Sequence, residues 1–259
     1  MTLGVRSALS KVPEVTLGFW VIKILATTLG ETGGDTVSMS MNLGYLVGTA
    51  IFGVVFVTAV AAQLKAKQFN PALYWATIVA STTLGTTLAD FATRSLGIGY
   101  PGGAIVLLTL LIGSLLIWYR TMGSVDIRTV TSPKSESFYW LTLMFSQTLG
   151  TALGDWTADT AGLGYPGGAD IFGGLLLLAA LAYSFTRLSR TVLFWIAFVL
   201  TRPLGAVVGD FLDKPAAQGG LAVSRYSATA ALIVLMVVCI FVIPQRAAQK
   251  AHESAREGM

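Results

Sequence analysis

The chain has 259 residues, a formal net charge of +4, and 54% hydrophobic against only 12% charged residues. With a mean hydropathy of +0.71, that balance excludes an ordinary soluble domain and predicts a polytopic all-α membrane protein. One cysteine, Cys239, and one histidine, His252, exclude an internal disulfide and leave no set for a Cys/His zinc site, a His-ligated haem or a Ser-His-Asp triad.

Along the chain, apolar runs long enough to cross a hydrocarbon core of about 30 Å are centred near residues 25, 53, 83, 110, 148, 177, 202 and 232. We read them as eight transmembrane helices, the first a retained span because no small-residue cleavage site follows it. Arg6 and Lys11 precede span 1, Lys65 and Lys67 follow span 2, and Arg120, Arg128 and Lys134 follow span 4. Arg187 and Arg190 follow span 6, and Arg246, Lys250 and Arg256 follow span 8. The opposite side offers only Arg94, Lys214 and Arg225. Because cytoplasmic loops retain positive charge, both termini are expected in the cytoplasm and the protein in a bacterial inner (plasma) membrane. The net charge is thus a topology signal: the expected partner is the lipid bilayer, no nucleic acid is expected, and oligomeric state stays open.

Internal repetition is the strongest feature. FWVIKILATTLGETGGD (19 to 35), YWATIVASTTLGTTLAD (74 to 90), YWLTLMFSQTLGTALGD (139 to 155) and FWIAFVLTRPLGAVVGD (194 to 210) align without gaps. Each has an aromatic-Trp pair, a Leu nine residues after the Trp, a Gly next, and an Asp five residues after that Gly. Trp20, Trp75, Trp140 and Trp195 are equivalent anchors, at the interface or in packing. Asp35, Asp90, Asp155 and Asp210 are equivalent acids. The units run about 14 to 65, 70 to 120, 135 to 187 and 190 to 243, in a single membrane domain followed by a polar tail at 244 to 259. The YPGG stretches at 100 to 103 and 165 to 168 read as turns or short re-entrant elements, and Gly33-Gly34 as a break in its helix.

This pattern resembles a family of bacterial integral-membrane proteins of unknown function, built from four tandem repeats that each hold two transmembrane segments and a Trp. The resemblance covers nearly the whole chain and implies architecture; no catalytic or binding residue comes with it. Two spans per unit make the repeats parallel, with the expected pseudo-symmetry axis along the membrane normal.

Each repeat Asp lies 15 residues after its Trp, about 22 Å along a helix at 1.5 Å per residue. A carboxylate in the membrane costs about 2.5 to 3.5 kcal/mol on insertion scales, so it normally faces a partner, a cavity or the bundle interior. Glu31 precedes Asp35 by four residues and Asp155 precedes Asp159 by four, which predicts two pairs sharing a helix face. The positions one turn beyond the repeat Asp hold Met39, Arg94, Asp159 and Lys214. Seven acids of the membrane region (Glu31, Asp35, Asp90, Asp155, Asp159, Asp170, Asp210) exceed the four modulating bases Lys23, Arg94, Arg202 and Lys214. An oxygen-only donor set suits Mg²⁺, Ca²⁺, Mn²⁺, Na⁺ or protons.

The function expected from these residues is a transporter of a divalent cation, with Mn²⁺ and export favoured and protons as the coupling ion. Glu31, Asp35, Asp155 and Asp159 are the expected metal ligands, and Asp90 and Asp210 extend the cation or proton pathway beside their basic neighbours. No tightly bound cofactor and no enzymatic activity are expected. A carrier of a small organic solute and a non-transporting scaffold or sensor are the alternatives. An intramembrane aspartyl protease is disfavoured, because Ala152 and Val207 stand where its Gly-x-Gly-Asp motif needs glycine.

Overall fold

The computed structural model describes residues 10 to 249; the expectations for Arg6, Lys250, His252 and Arg256 lie outside the described residues. The described residues form eight long helices: α1 (Leu17–Asp35), α2 (Gly44–Lys65), α3 (Pro71–Asp90), α4 (Gly99–Met122), α5 (Pro133–Asp155), α6 (Gly164–Phe185), α7 (Arg190–Asp213) and α8 (Arg225–Val242). Their starts follow local chemistry. Thr16 Oγ1 accepts the Phe19 amide and Asn70 Oδ1 the Leu73 amide, Pro71 and Pro133 occupy the first helical turn, and Ser132 and Ser135 cap α5 reciprocally.

The odd helices α1, α3, α5 and α7 form a closed ring, with α1 against α3, α3 against α5, α5 against α7 and α7 against α1. Outside it, α2 packs on α3, α4 on α5, α6 on α7 and α8 on α1. Each even helix therefore lies on the odd helix of the following repeat, and the last one closes on the first. The contact stripe of an even helix is narrow, as in Ala228, Leu232 and Met236 of α8, which recur once per turn. The remaining faces expose apolar side chains such as Val54, Ile105, Leu178 and Val234. Five helices, α2, α4, α6, α7 and α8, are long and apolar enough to cross a membrane, which marks the chain as membrane-protein-like. The other three, α1, α3 and α5, are diluted by Thr, Gly, Ser and acidic residues that the ring buries.

The repeated glycine explains how the ring closes. A Cβ at Gly30, Gly85, Gly150 or Gly205 would lie within 3.0 Å of Thr82, Gln147, Arg202 or Thr27 respectively, always the residue three before the Gly of the next repeat. Thr82 Oγ1 donates to the Ala26 carbonyl at 3.2 Å and Thr86 Oγ1 to the Gly30 carbonyl at 3.1 Å, tying α3 to α1. Close backbone approach with hydroxyl bridging is how helices associate where no hydrophobic effect separates helix from lipid.

Two sequence expectations are corrected. Helix α1 runs unbroken through Gly33 and Gly34, because Gly34 serves close packing against Thr86. YPGG is neither turn nor re-entrant element: Tyr100 to Gly103 and Tyr165 to Gly168 lie inside the first turns of α4 and α6. The reversals sit just before them. Asn42 and Gly44, Gly97 and Gly99, and Gly162 and Gly164 all have positive φ, a conformation that glycine and asparagine reach at least cost.

At the Trp end, Trp75, Trp140 and Trp195 are buried and Trp20 partly so. Trp75, Trp140 and Trp195 thus take the packing role. Trp75 packs on Phe19 with centroids 5.5 Å apart, Trp140 on Tyr74 at 5.7 Å and Trp195 on Trp118 at 5.9 Å, while Tyr74 and Tyr139 share a hydrogen bond of 2.6 Å. Residues before α1 and after α8 cross this end together. Pro13 pairs with Ala247, and Ala248 N donates to the Val12 carbonyl at 2.9 Å. The first residues of the tail are therefore part of the fold.

Candidate cation site

The repeat acids lie at the other end of the ring, and all four are buried. In each of the first three repeats the helix passes after its Asp into a π-helical turn, Thr36–Ser40, Phe91–Ser95 and Trp156–Thr160. Pro215 prevents the same continuation in the fourth, since the residue before a proline avoids helical backbone. Lys214 is accordingly extended, with φ −73° and ψ 152°.

Glu31, Asp35 and Asp210 converge: each offers one carboxylate oxygen, and these oxygens all lie within 4.8 Å of one another. The cyclic packing accounts for this, because α7 of the last repeat adjoins α1 of the first. Lys214 Nζ stands between two of the three, 2.7 Å from Asp35 Oδ2 and 2.9 Å from Asp210 Oδ1. Arg225 Nε lies 3.3 Å from Asp213 Oδ2 and 3.8 Å from Asp35 Oδ2. Asp35 Oδ1 is buried without a hydrogen-bond partner, so the trio retains an unused acceptor.

About two turns deeper on α7, Arg202 projects toward the middle of the ring. Its Nη2 donates to Glu31 Oε2 at 2.8 Å and to Thr86 Oγ1 at 2.7 Å, and also to Thr151 Oγ1. Those three acceptors occupy the same repeat position on α1, α3 and α5, so a single nitrogen contacts all the other odd helices. The far side of the ring holds a second set, in which Arg94 bridges Asp90 at 2.8 Å and Asp155 at 3.2 Å.

Several site expectations change. Asp155, expected as a metal ligand, is held by Arg94 at 3.2 Å, and Asp210, expected in the cation or proton pathway, is the acid that converges with Glu31 and Asp35. Asp159 is exposed in its π-helical turn. Asp170 is exposed on α6 as well. Lys23 pairs with no acid among the described residues. It lies 12 residues before Asp35 in α1, about 18 Å away along the helix, and its ammonium meets Thr201 Oγ1 at 3.2 Å and the Phe198 ring at 3.9 Å. Asp213 and Arg225 were missed, although Asp210-x-x-Asp213-Lys214 spaces its charges for one helix face. Even so, the six buried acids Glu31, Asp35, Asp90, Asp155, Asp210 and Asp213 outnumber the four bases beside them, Arg94, Arg202, Lys214 and Arg225.

Access is graded along the axis. The side chains of Arg94, Arg225, Lys214 and Arg202 are 32%, 22%, 10% and 0% exposed, so the cluster is approached from the Asp end. Oxygen donors alone, three of them carboxylates, fit a hard cation.

The repeat described as "Repeat of Unknown Function (DUF347)" matches four times, over residues 18 to 69, 73 to 124, 138 to 189 and 193 to 244. The chain belongs to the DUF347 family. Each DUF347 repeat holds one ring helix and one outer helix, and the four together contain every acid and base of the cluster. No curated protein and no solved structure matches the chain.

Proposed function

We propose that this protein is a membrane carrier of a hard divalent cation, Mn²⁺ the leading candidate, that exchanges the ion for protons through its buried carboxylates. The observation that carries this is the convergence of Glu31, Asp35 and Asp210 within 4.8 Å, at the inner end of a charged path that becomes more exposed toward the Asp end. In this reading all eight helices span a bacterial inner membrane, with α2, α4, α6 and α8 facing lipid. The four repeats are related by a pseudo-four-fold axis along the membrane normal, which the cyclic glycine contacts support. The polypeptide termini and the aromatic Trp end lie on the cytoplasmic side, where Lys65, Lys67, Arg120, Arg187 and Arg190 cluster.

In this conformation Glu31, Asp35 and Asp210 are buried, so ion entry in this reading needs the more exposed Arg225 and Lys214 side chains at the Asp end to move aside. Arg202 closes the axis below the ion site, and an inward-facing state needs its contacts with Glu31, Thr86 and Thr151 to part. The test is Mn²⁺ uptake by proteoliposomes under a proton gradient. Wild-type protein should move the ion, and Glu31→Gln, which keeps the side-chain volume, should reduce the initial rate at least about tenfold. Equal rates in protein-free and wild-type vesicles would remove the transport reading.

A further inference from the structure

Lys214 differs from its counterparts in the other repeats. Met39, Arg94 and Asp159 sit in π-helical turns, whereas Lys214 caps α7 on extended backbone imposed by Pro215. Its backbone is nonetheless fixed. The Ala222 amide donates to the Lys214 carbonyl at 2.9 Å, the Leu221 amide to the Phe211 carbonyl at 2.7 Å, and Gly220 packs so closely on Lys214 that a Cβ there would overlap its carbonyl. The main chain is thus pinned while a four-carbon side chain reaches back into the cluster.

The ammonium ends where a bound cation would. It contacts Asp35 Oδ2 and Asp210 Oδ1 at 2.7 and 2.9 Å, and these residues supply two of the three carboxylates that converge. Asp35 Oδ1 stays unpartnered and buried beside it. We infer that Lys214 is a tethered cation that competes with the transported ion for Asp35 and Asp210, so that ion entry displaces the ammonium and ion departure lets it return. The inference rests on the cation-carrier reading and assigns a regulator to its site. Such an occupant keeps Asp35 and Asp210 from being stranded as unpaired buried charges in the empty carrier, which would be strongly unfavourable. It also sets the affinity low enough for release, because the entering ion must first break the ammonium's contacts with both carboxylates.

Calorimetric titration of Mn²⁺ into purified full-length protein separates the cases. Lys214→Gln should bind Mn²⁺ at least about tenfold more tightly than wild type, while Lys214→Arg should stay near wild type. In Lys214→Ala, propylammonium added as the free amine salt should compete with Mn²⁺, and in wild type it should not. Melting curves of each variant establish that the titrated protein is folded. If Lys214→Gln binds no more tightly than wild type while Asp35→Asn abolishes binding, the displacement idea fails and the cation site stands. If neither wild type nor Lys214→Gln takes up Mn²⁺, both fail together.

Discussion

Arg202 concentrates the physics of this protein at the scale of single residues. Its fully buried guanidinium is neutralised by Glu31 and meets two threonine hydroxyls through Nη2 alone, while Nε and Nη1 are buried without a hydrogen-bond partner, a cost that the Glu31 pairing must offset. Its stem also packs on the backbone of Gly150 so closely that a side chain there would collide with it. Glycine is needed for the same reason in each repeat, which gives a sharp prediction. A Cβ at Gly85 meets the backbone of Gln147 and Thr148 at 2.9 and 3.0 Å, and backbone cannot rotate aside. Gly85→Val should therefore lower the melting temperature of detergent-solubilised protein by several degrees, the effect of overpacking by about 1 to 3 kcal/mol. Gly173→Ala, where nothing lies within 4 Å, should leave it unchanged or raise it slightly. Equal melting temperatures for all three proteins would mean the ring is looser than described. The depth of the acids was legible from the constant Trp-to-Asp spacing. The pairs Asp90–Arg94 and Asp210–Lys214 were legible from their four-residue spacing, whereas partners on other helices were not, because spacing along one helix says nothing about which helix stands beside it.

Among elements, the terminal segments do more than the sequence suggested. Lys11 Nζ donates to the Gln63 and Ala66 carbonyls at 2.8 and 2.7 Å, satisfying the end of α2 as a cation at a helix C-terminus should. It also pairs with Glu136 of α5 at 2.8 Å. Ser10, Lys11 and Val12 thereby link α2, the connector before α5, and the residues following α8. Lys11→Met should leave α1 to α8 folded but speed amide hydrogen exchange at Val12 and Ala248 at least about tenfold; unchanged protection would show that the segment is held without it. Helix existence was readable from apolar run length. The π-helical turns were not, since nothing in Thr36–Ser40 or Trp156–Thr160 departs from ordinary helix-compatible composition.

For the whole molecule, the informative fact is that a four-fold sequence repeat closes on itself. The ring brings the first and last repeats into contact, so Asp210 joins Glu31 and Asp35, and α8 covers α1. Four aligned motifs were compatible with a closed ring of four or with a two-fold pair of halves, and the contacts among α1, α3, α5 and α7 form the ring. Which repeats adopt acidic and which basic roles depended on ring order, and only ring order turns Lys214 toward Asp35. Six buried acids stand beside four bases, and that excess is what motivates the proposed cation site. The most direct test is titration of Mn²⁺, Mg²⁺, Ca²⁺ and Na⁺ into the purified protein, with Asp35→Asn as the control. Saturable binding of a divalent ion that the substitution abolishes is the predicted result, whereas no binding of any of these ions to the folded wild-type protein would contradict a cation site at Glu31, Asp35 and Asp210.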